Sequence, residues 1–452
     1  MATGAVTLAL RGAPRRAGAT AALLAAAVVA GAALALGLRA SDRSTTLVLG
    51  GGVFLLGVLA LALARYDAAV ALGFLLFAVV QFEPAPSDVV FAVVILVTVA
   101  TGRFRLRATP FGLLVAVGVF AALNVLACME AVAPGRAASF MAITLYLLAF
   151  ALWTASWASS SERVRMLVRI YVVVAAISAA VGALALYVPI PGHSLLTAYT
   201  GTRARALFKD PNVFGPFLVP AVLIVVQELL HPRLLEWRRR TKLLVLAVLL
   251  AGVLVSYSRA AWLNVAVAAI VMGLVLALRR GGARHALALV ALVATAAVAV
   301  GVAVTVTGQL GFLQERARLQ SYDTQRFAAQ SAGLGLGERH PIGVGPGQFE
   351  LYEPISAHST YVRALAEEGP IGFLALVSIM LGTLALALRN AAQGRQTFGI
   401  SSTVLLAAWC GILANSVFID TLHWRHLWLI AGLIWAAPRI QTSSYAGARS
   451  PT

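Results

Sequence analysis

The chain alternates long apolar runs with short polar gaps. A transmembrane helix needs about 20 mostly apolar residues. By that measure about fourteen runs are candidate spans, and about twelve if the shortest ones are merged across tight turns. The pattern predicts an all-α, polytopic bundle of about 12–14 transmembrane helices. The approximate centres of the runs are Val28, Phe54, Phe74, Val94, Val117, Leu147, Ala176, Leu223, Ala247, Ala268, Ala294, Val377, Leu406 and Ile430.

Arginine fills alternate gaps between the runs. The positive-inside rule assigns such gaps to the cytoplasm, so we expect both termini to be cytoplasmic and the other gaps to face outward. The first run is too long, and too closely followed by others, to be a removed signal peptide. The predicted organisation is transmembrane helices over 1–306, a large extracytoplasmic loop with short helices over 307–358, transmembrane helices over 359–440, and a cytoplasmic tail over 441–452.

Composition agrees with a membrane protein: 60% of the 452 residues are apolar, 12% are charged, and the mean hydropathy is +0.89. The net charge of +18 would suggest nucleic acid in a soluble protein. Here the basic residues follow the gaps and form no face interleaved with aromatic residues, which excludes a nucleic-acid partner. Cys128 and Cys410 lie inside apolar runs, so neither a disulfide framework nor a metal site is predicted.

Three outward gaps carry more charge than the rest, and they contain Arg203, Arg205, Arg259 and Arg326. The fork of donors on arginine matches phosphate oxygens, and the phosphates near a membrane surface belong to lipid head groups or lipid-linked pyrophosphates. The alternative for each arginine is that it extends to the interface or pairs with a nearby acid. The candidate acids are Asp210, Asp323 and Glu315.

His358 lies where the longest outer gap meets the next apolar run. Histidine titrates near neutral pH and could accept a proton from a sugar hydroxyl, although an interfacial or capping role is the alternative. Tyr361, Val362 and Leu365 follow at helical spacing and predict a short interfacial helix. Gly369 and the proline after it should end that helix.

Three further stretches carry residues that could form a site or a turn. GVGPGQF at 343–349 resembles a phosphate-binding glycine loop, but it follows no predicted strand, so a tight turn is the better interpretation. DPN at 210–212 predicts a turn and a helix start capped by Asp210 or Asn212. HWRHLW at 423–428 was interpreted as part of an aromatic belt, and its two histidines lack the companion ligands of a metal site.

HSTYVRALAEEGPIG at 358–372 resembles a signature of the O-antigen ligase and polymerase family, which consists of bacterial polytopic membrane glycosyltransferases. Upstream stretches are similar to further family segments: an arginine about fifteen residues before a Pro-x-Gly-x-Gly turn, an Arg-to-DPN segment, and a Ser-Arg turn. Together they cover roughly 195–375. Gln330 stands where the family often has tryptophan, and Ala206 where it often has glycine. The signature residues are His358, Ser359, Tyr361, Leu365, Glu367, Gly369 and Gly372.

The resemblance implies a glycosyltransferase of the membrane C type at the outer face of the plasma membrane, inverting, metal-independent and without a cofactor. The donor would be a polyprenyl-pyrophosphate-linked oligosaccharide, held among membrane lipids, and the acceptor a glycan, a lipid or a protein. Arg203 or Arg205 would hold the pyrophosphate together with Arg326, with Arg259 a weaker third. His358 would orient or deprotonate the acceptor hydroxyl. The supporting residues would be Glu367, which braces the interfacial helix, and Tyr361, Asp210 and Asn212.

The alternative function is a multi-pass transporter or a lipid-linked glycan flippase. Transporters usually carry ionisable groups or broken helices near the bilayer midplane. In this sequence most runs lack charge at mid-depth, and the polar groups gather at one face, which favours the enzyme. A membrane scaffold would explain neither the outer arginines nor the long loop.

Overall fold

The computed structural model describes residues 43–188, 190, 192–199, 201–278 and 321–437, with isolated helical positions at 284, 287, 290 and 311. The spans predicted near Val28 and Ala294, and the tail over 441–452, lie outside these residues. The chain divides into two units, Met1–Phe104 and Arg105–Thr452.

In the first unit the described residues form three helices. They are α1 (Arg43–Ala64), α2 (Tyr66–Leu75) and α3 (Pro86–Ala100). Phe74, Phe77 and Phe91 are buried and meet edge to face, with the Phe74 and Phe91 ring centroids 4.9 Å apart. This aromatic contact packs α2 against α3.

The second unit is also helical, apart from two short antiparallel hairpins. The hairpins pair β1 with β2 and β3 with β4. The helices are α4 (Phe111–Ala127), α5 (Pro134–Trp157), α6 (Ser161–Tyr187), α7 (His193–Leu196), α8 (Pro211–Leu230), α9 (Arg239–Val255), α10 (Arg259–Leu278), α11 (Ser321–Arg339), α12 (Phe349–Tyr352), α13 (Thr360–Ala392), α14 (Ser402–Phe418) and α15 (Arg425–Ala436), with 3-10 turns at Leu106–Ala108 and Cys128–Glu130; the strands are β1 (Thr197–Ala198), β2 (Arg203–Ala204), β3 (Gln396–Thr397) and β4 (Ile400–Ser401).

Within the described residues six helices are long and apolar enough to cross a membrane, and four apolar helices are shorter. Every predicted centre in the described ranges falls in a separate helix, so the prediction of an all-α polytopic membrane protein is confirmed. The six are Phe111–Glu130, Pro134–Trp157, Ser161–Tyr187, Pro211–Leu230, Arg259–Leu278 and Thr360–Ala392; the shorter ones are Gly50–Ala64, Tyr66–Leu75, Pro86–Ala100 and Ser402–Phe418.

Helix α8 lies at the centre of the second unit, since 83% of its apolar window is buried, against 28–44% in the other five spans. It packs against α6, α9, α10 and α14. Helix α13 packs against α4, α11 and α14. The functional candidates lie at the start of α8, on α11 and immediately before α13.

Helix α13 is broken at Gly369, whose backbone angles (φ 71°, ψ −179°) are not helical. The break separates a short segment, 360–368, from a long apolar segment, 370–392. The prediction that Gly369 and Pro370 end a short helix is therefore confirmed. A buried apolar cluster fixes the short segment to α11 and to the glycine-rich turn over 343–349. Its members are Leu336, Val344, Phe349, Ala357 and Ala366.

Candidate functional site

His358 has a left-handed backbone conformation, with φ at +45°. This region is uncommon for residues other than glycine and costs of order 1–3 kcal/mol unless the surroundings impose it. A contact from α11 helps to hold this conformation: Gln330 Nε2 donates to the His358 carbonyl oxygen at 3.2 Å. Gln330, one of the departures from the family pattern, thus holds the histidine backbone.

The first turn of α13 is fixed directly after His358. Ser359 caps the helix by accepting from the Val362 amide at 3.4 Å. Thr360 Oγ1 accepts from the Thr421 amide at 2.7 Å and donates to the Ile419 carbonyl oxygen at 3.2 Å. These bonds tie the turn to the segment that follows α14, so His358 has little freedom to move.

The His358 imidazole is held neutral by its surroundings. Burial first, and then the positive charge of Arg326, lower the pKa of His358 from 6.5 to about 4; Arg363 lowers it further, while Asp210 and Asp420 act in the opposite direction. A neutral imidazole at pH 7 can accept a hydrogen bond or a proton. The charges of Arg326, on α11, and of Asp210, at the start of α8, therefore both act on His358.

Arg203 is 4% exposed and is committed to internal contacts. Its Nε donates to the Ser256 carbonyl oxygen at 2.9 Å and its Nη2 to Asn212 Oδ1 at 3.1 Å. The guanidinium also lies 5.1 Å from the centroid of the Tyr199 ring. Arg203 thus joins β2 to the start of α8 and to the turn between α9 and α10.

The DPN stretch starts α8 as predicted. Asp210 is the capping residue and accepts from the Asn212 amide at 2.6 Å. Asn212 Oδ1 accepts from Ser258 Oγ at 2.8 Å as well as from Arg203. Asn212 is therefore a connector between elements, and Asp210 is the member of the pair whose charge acts on His358.

Arg205 is half-buried and lines a cavity of about 530 Å³ formed by the chain between α6 and α8. Its Nη1 donates to the Lys209 carbonyl oxygen at 3.2 Å and its Nη2 to the Ser194 carbonyl oxygen at 3.1 Å. The cavity volume is in the usual range for ligand sites, about 300–1,000 Å³. Of the two tandem arginines, Arg205 is the one that faces an open space.

Arg259 forms a bidentate ion pair with Asp323, at 2.9 and 2.5 Å. This contact confirms the alternative weighed from the sequence, in which the arginine pairs with a nearby acid. Asp323 lies one turn before Arg326 on α11. The ion pair therefore fixes the start of the helix that carries Arg326.

Glu367 is fully buried and joins the glycine-rich turn to α13. Its two oxygens accept from the Gly347 amide at 2.7 Å and the Phe349 amide at 3.1 Å. The amides that a phosphate would need are thus directed at a carboxylate, in agreement with the interpretation of GVGPGQF as a turn. Tyr361, six residues earlier on α13, is half-buried and interacts with Ser416.

Arg363 is a buried hub that sequence reasoning missed. Its Nη1 donates to Glu367 Oε1 at 2.7 Å, its Nη2 contacts Glu350 and Ser356, and its Nε lies 2.8 Å from Asp420 Oδ2. The i,i+4 spacing of Arg363 and Glu367 was the available signal. The other two acids come from different parts of the chain.

The interpretation of HWRHLW as an aromatic belt was wrong. Trp424, His426 and Trp428 are all buried inside the second unit, at 4%, 2% and 0% exposure. His423 Nε2 lies 3.0 Å from Thr144 Oγ1. In the described part of the chain, no group of three or more His, Cys, Asp or Glu side chains could hold a metal ion.

Part of the chain matches a known protein family. Residues 244–377 match the profile of a family described as O-antigen ligase. The match includes Arg259, Arg326, His358 and Glu367, whereas the stretch from Arg203 to Asn212 precedes it. No curated protein matches the chain.

Proposed function

We propose that this chain, which belongs to the O-antigen ligase family, transfers a glycan from a polyprenyl-pyrophosphate donor to an acceptor hydroxyl at the outer face of the bacterial plasma membrane. The family match and the apolar helices identify a multi-pass membrane enzyme that processes glycans. The finer assignment rests on one observation: Gln330 of α11 contacts the His358 backbone, and Arg326 lies one turn earlier on the same helix, so that its charge acts on the imidazole.

The proposed chemistry is a single displacement. The acceptor oxygen attacks the anomeric carbon of the donor sugar, the bond from that carbon to the pyrophosphate oxygen breaks, and the bonding electrons leave with the pyrophosphate. The hydroxyl proton passes to His358. Guanidinium groups stabilise the charge that develops on the leaving group, which is the main contribution a preorganised site makes to such a reaction.

Donor binding would make His358 a better base. In the free protein, Arg326 is one of the causes that lower the pKa of His358 to about 4. A bound pyrophosphate would offset the charge of Arg326 and add negative charge nearby, and both effects raise the pKa of an imidazole. The histidine would then become basic only when the leaving group is in position.

The four outer arginines receive different roles. Arg326 is the proposed ligand of the pyrophosphate, because its charge acts on His358, whereas Arg205 faces a separate cavity. Arg203 and Arg259 are positioning residues: the first joins β2 to α8, and the second fixes α11 through Asp323. Exposed leucines on the spans would contact the polyprenyl tail and membrane lipids. The acceptor is a glycan, a lipid or a protein.

The test uses purified protein in detergent with a polyprenyl-pyrophosphate-linked oligosaccharide and an acceptor glycan. A transporter or flippase makes no product in a single compartment, so product formation identifies an enzyme. We expect H358A and R326A each to lower kcat/KM by about 10²–10⁴-fold, the usual contribution of a general base or a charge-stabilising donor.

H340A is the matched control, because His340 belongs to the same outer segment and its ring centroid lies 6.2 Å from that of Tyr352. It should stay within about twofold of the wild type, since it removes no proposed catalytic group. Melting curves establish that each variant is folded. Wild-type rates in folded H358A would overturn the proposed role of the histidine.

A further inference from the structure

The cavity beside Arg205 has an arrangement of charge that the proposed transfer step does not by itself require. Arg205 and Lys209 contribute two positive charges to its wall and Asp210 contributes one negative charge. His193, Ser194 and Thr197 add polar groups. The three charged side chains together give the wall a net charge of about +1, which suits a ligand with one negative charge and several hydroxyls.

Arg205 is held in a fixed orientation facing this space. Both of its side-chain hydrogen bonds in the described part of the chain go to carbonyl oxygens, so they orient the guanidinium without neutralising it. Its Nε is buried and has no hydrogen-bond partner among the described residues.

Tyr199 supplies an apolar surface on the same wall. It is 59% exposed, while the Arg203 guanidinium lies 5.1 Å from its ring centroid and restricts its position. An exposed aromatic ring packs well against the C–H face of a sugar ring. The volume of about 530 Å³ is large enough for one or two sugar rings.

The cavity shares one residue with the surroundings of His358. Asp210 belongs to its wall, and the charge of the same residue partly opposes the lowering of the pKa of His358. A sugar in the cavity would therefore be close to the bond that breaks.

We propose that this cavity is a subsite for an acidic sugar carrying one negative charge, such as a uronic acid, next to the reacting end of the glycan. The inference rests on the proposed function, whose substrate class it specifies. Arg205 and Lys209 bind the carboxylate, Asp210 and the hydroxyl side chains bind the sugar hydroxyls, and Tyr199 packs against the ring. The subsite would select acidic repeat units over neutral ones.

Binding is tested directly, without turnover. The probes are two methyl disaccharides that differ only at C6 of one ring, a glucuronide and the corresponding glucoside, titrated into purified protein in detergent and followed by ligand-observed NMR. We expect the wild type to bind the glucuronide about tenfold more tightly, the size of one charge-assisted hydrogen bond. Equal affinities would overturn the proposal.

Two variants and one control locate the effect. K209Q, at an exposed position, and R205Q should each remove most of the preference. R339Q, which removes an exposed arginine whose Nε donates to the Gly335 carbonyl oxygen, should keep it. A preference that survives in folded K209Q and R205Q would also contradict the proposal, and K209Q decides the matter if R205Q fails to fold.

H358A separates this inference from the proposed function. We expect the variant to lose transfer while keeping its preference for the glucuronide. Transfer that persists in H358A would refute the catalytic role but leave the subsite standing. Loss of transfer in a protein that shows no preference would refute the subsite alone.

Discussion

Arg363 offers a sharp test of the packing around His358. Its side chain is 4% exposed and contacts three carboxylates, those of Glu350, Glu367 and Asp420. The variant R363M keeps the length of the side chain and removes the charge. Glu367 would then stay fully buried, with only its two amide donors as partners.

Removing one member of a buried ion pair costs about 3–5 kcal/mol, because the remaining charge stays buried and uncompensated. R136M is the matched control. Arg136 also pairs with Glu350, at 2.6 Å, but its side chain is 44% exposed. An exposed ion pair contributes about 0–1 kcal/mol, so R363M should destabilise the protein several times more than R136M.

The measurement is thermal unfolding in detergent followed by tryptophan fluorescence. A pH series adds a second criterion. Burial acts to raise the pKa of Glu350, but the hydrogen bond and the charge of Arg363 outweigh it and hold that pKa below 4.5. The stabilisation from this pair is therefore present above pH 4.5 and is lost as the pH falls through the lowered pKa.

The difference in melting temperature between wild type and R363M should accordingly become smaller at acid pH, as the Glu350 carboxylate of the folded protein takes up its proton. Equal melting temperatures for R363M and R136M would refute the assignment of Arg363 as a buried hub. A difference in melting temperature that stays constant down to pH 3 would refute the electrostatic explanation.

Three further predictions concern single positions. Ala206 has φ at +47°, so A206G should stabilise the protein by about 0.5–1 kcal/mol. A204G, at a fully buried strand position, should destabilise it. A lower melting temperature for A206G than for A204G would contradict the strain at Ala206. Gly343 has φ at +87°, and an added Cβ would lie 2.2 Å from the Glu367 carbonyl oxygen, so G343A should destabilise the protein by about 2–5 kcal/mol. At Gly335 the nearest atom to an added Cβ lies 3.9 Å away, so G335A should cost less than about 1 kcal/mol in the same assay. Similar costs for the two variants would contradict the close contact at Gly343. Because the pKa of His358 in the folded protein is about 4, kcat/KM should not fall as the pH is lowered through 6.5. The stability of the fold should decrease between pH 6.5 and 4, because only the unfolded histidine takes up a proton there. A midpoint of activity near pH 6.5 would contradict the lowered pKa.

The sequence was sufficient to predict features that depend on local chemistry. Apolar length located the helices, because a span of about 20 apolar residues has few alternatives to a transmembrane helix. Asp210 before proline predicted a capped helix start, and the Gly369–Pro370 pair predicted the break in α13. The pairing of Arg259 with Asp323 was weighed as an alternative, but no local pattern could decide in its favour.

Features that depend on distant packing could not be predicted. Arg203 and Arg205 are two residues apart and chemically identical; they differ because Ser256 and Asn212 contact one of them and a cavity adjoins the other. The hub at Arg363 needs acids from separate segments. The run at 423–428 looked like a surface aromatic belt because its composition suits both an interface and a buried helix contact.

The sidedness of the membrane is the premise on which the proposed chemistry depends. Cysteine labelling on intact cells tests it most directly. In a C128A/C410A background, E338C would introduce a thiol at the exposed end of α11, before the glycine-rich turn. E236C would introduce one between α8 and α9, in a gap expected to be cytoplasmic, where the Glu236 side chain is 70% exposed.

A membrane-impermeant maleimide should label E338C on intact cells, and should label E236C only after the cells are broken open. That result would put the segment that carries Arg326 and leads to His358 on the side where lipid-linked glycans are joined. Labelling of E236C but not E338C on intact cells would put the same segment in the cytoplasm and contradict the proposed outer-face glycosyl transfer.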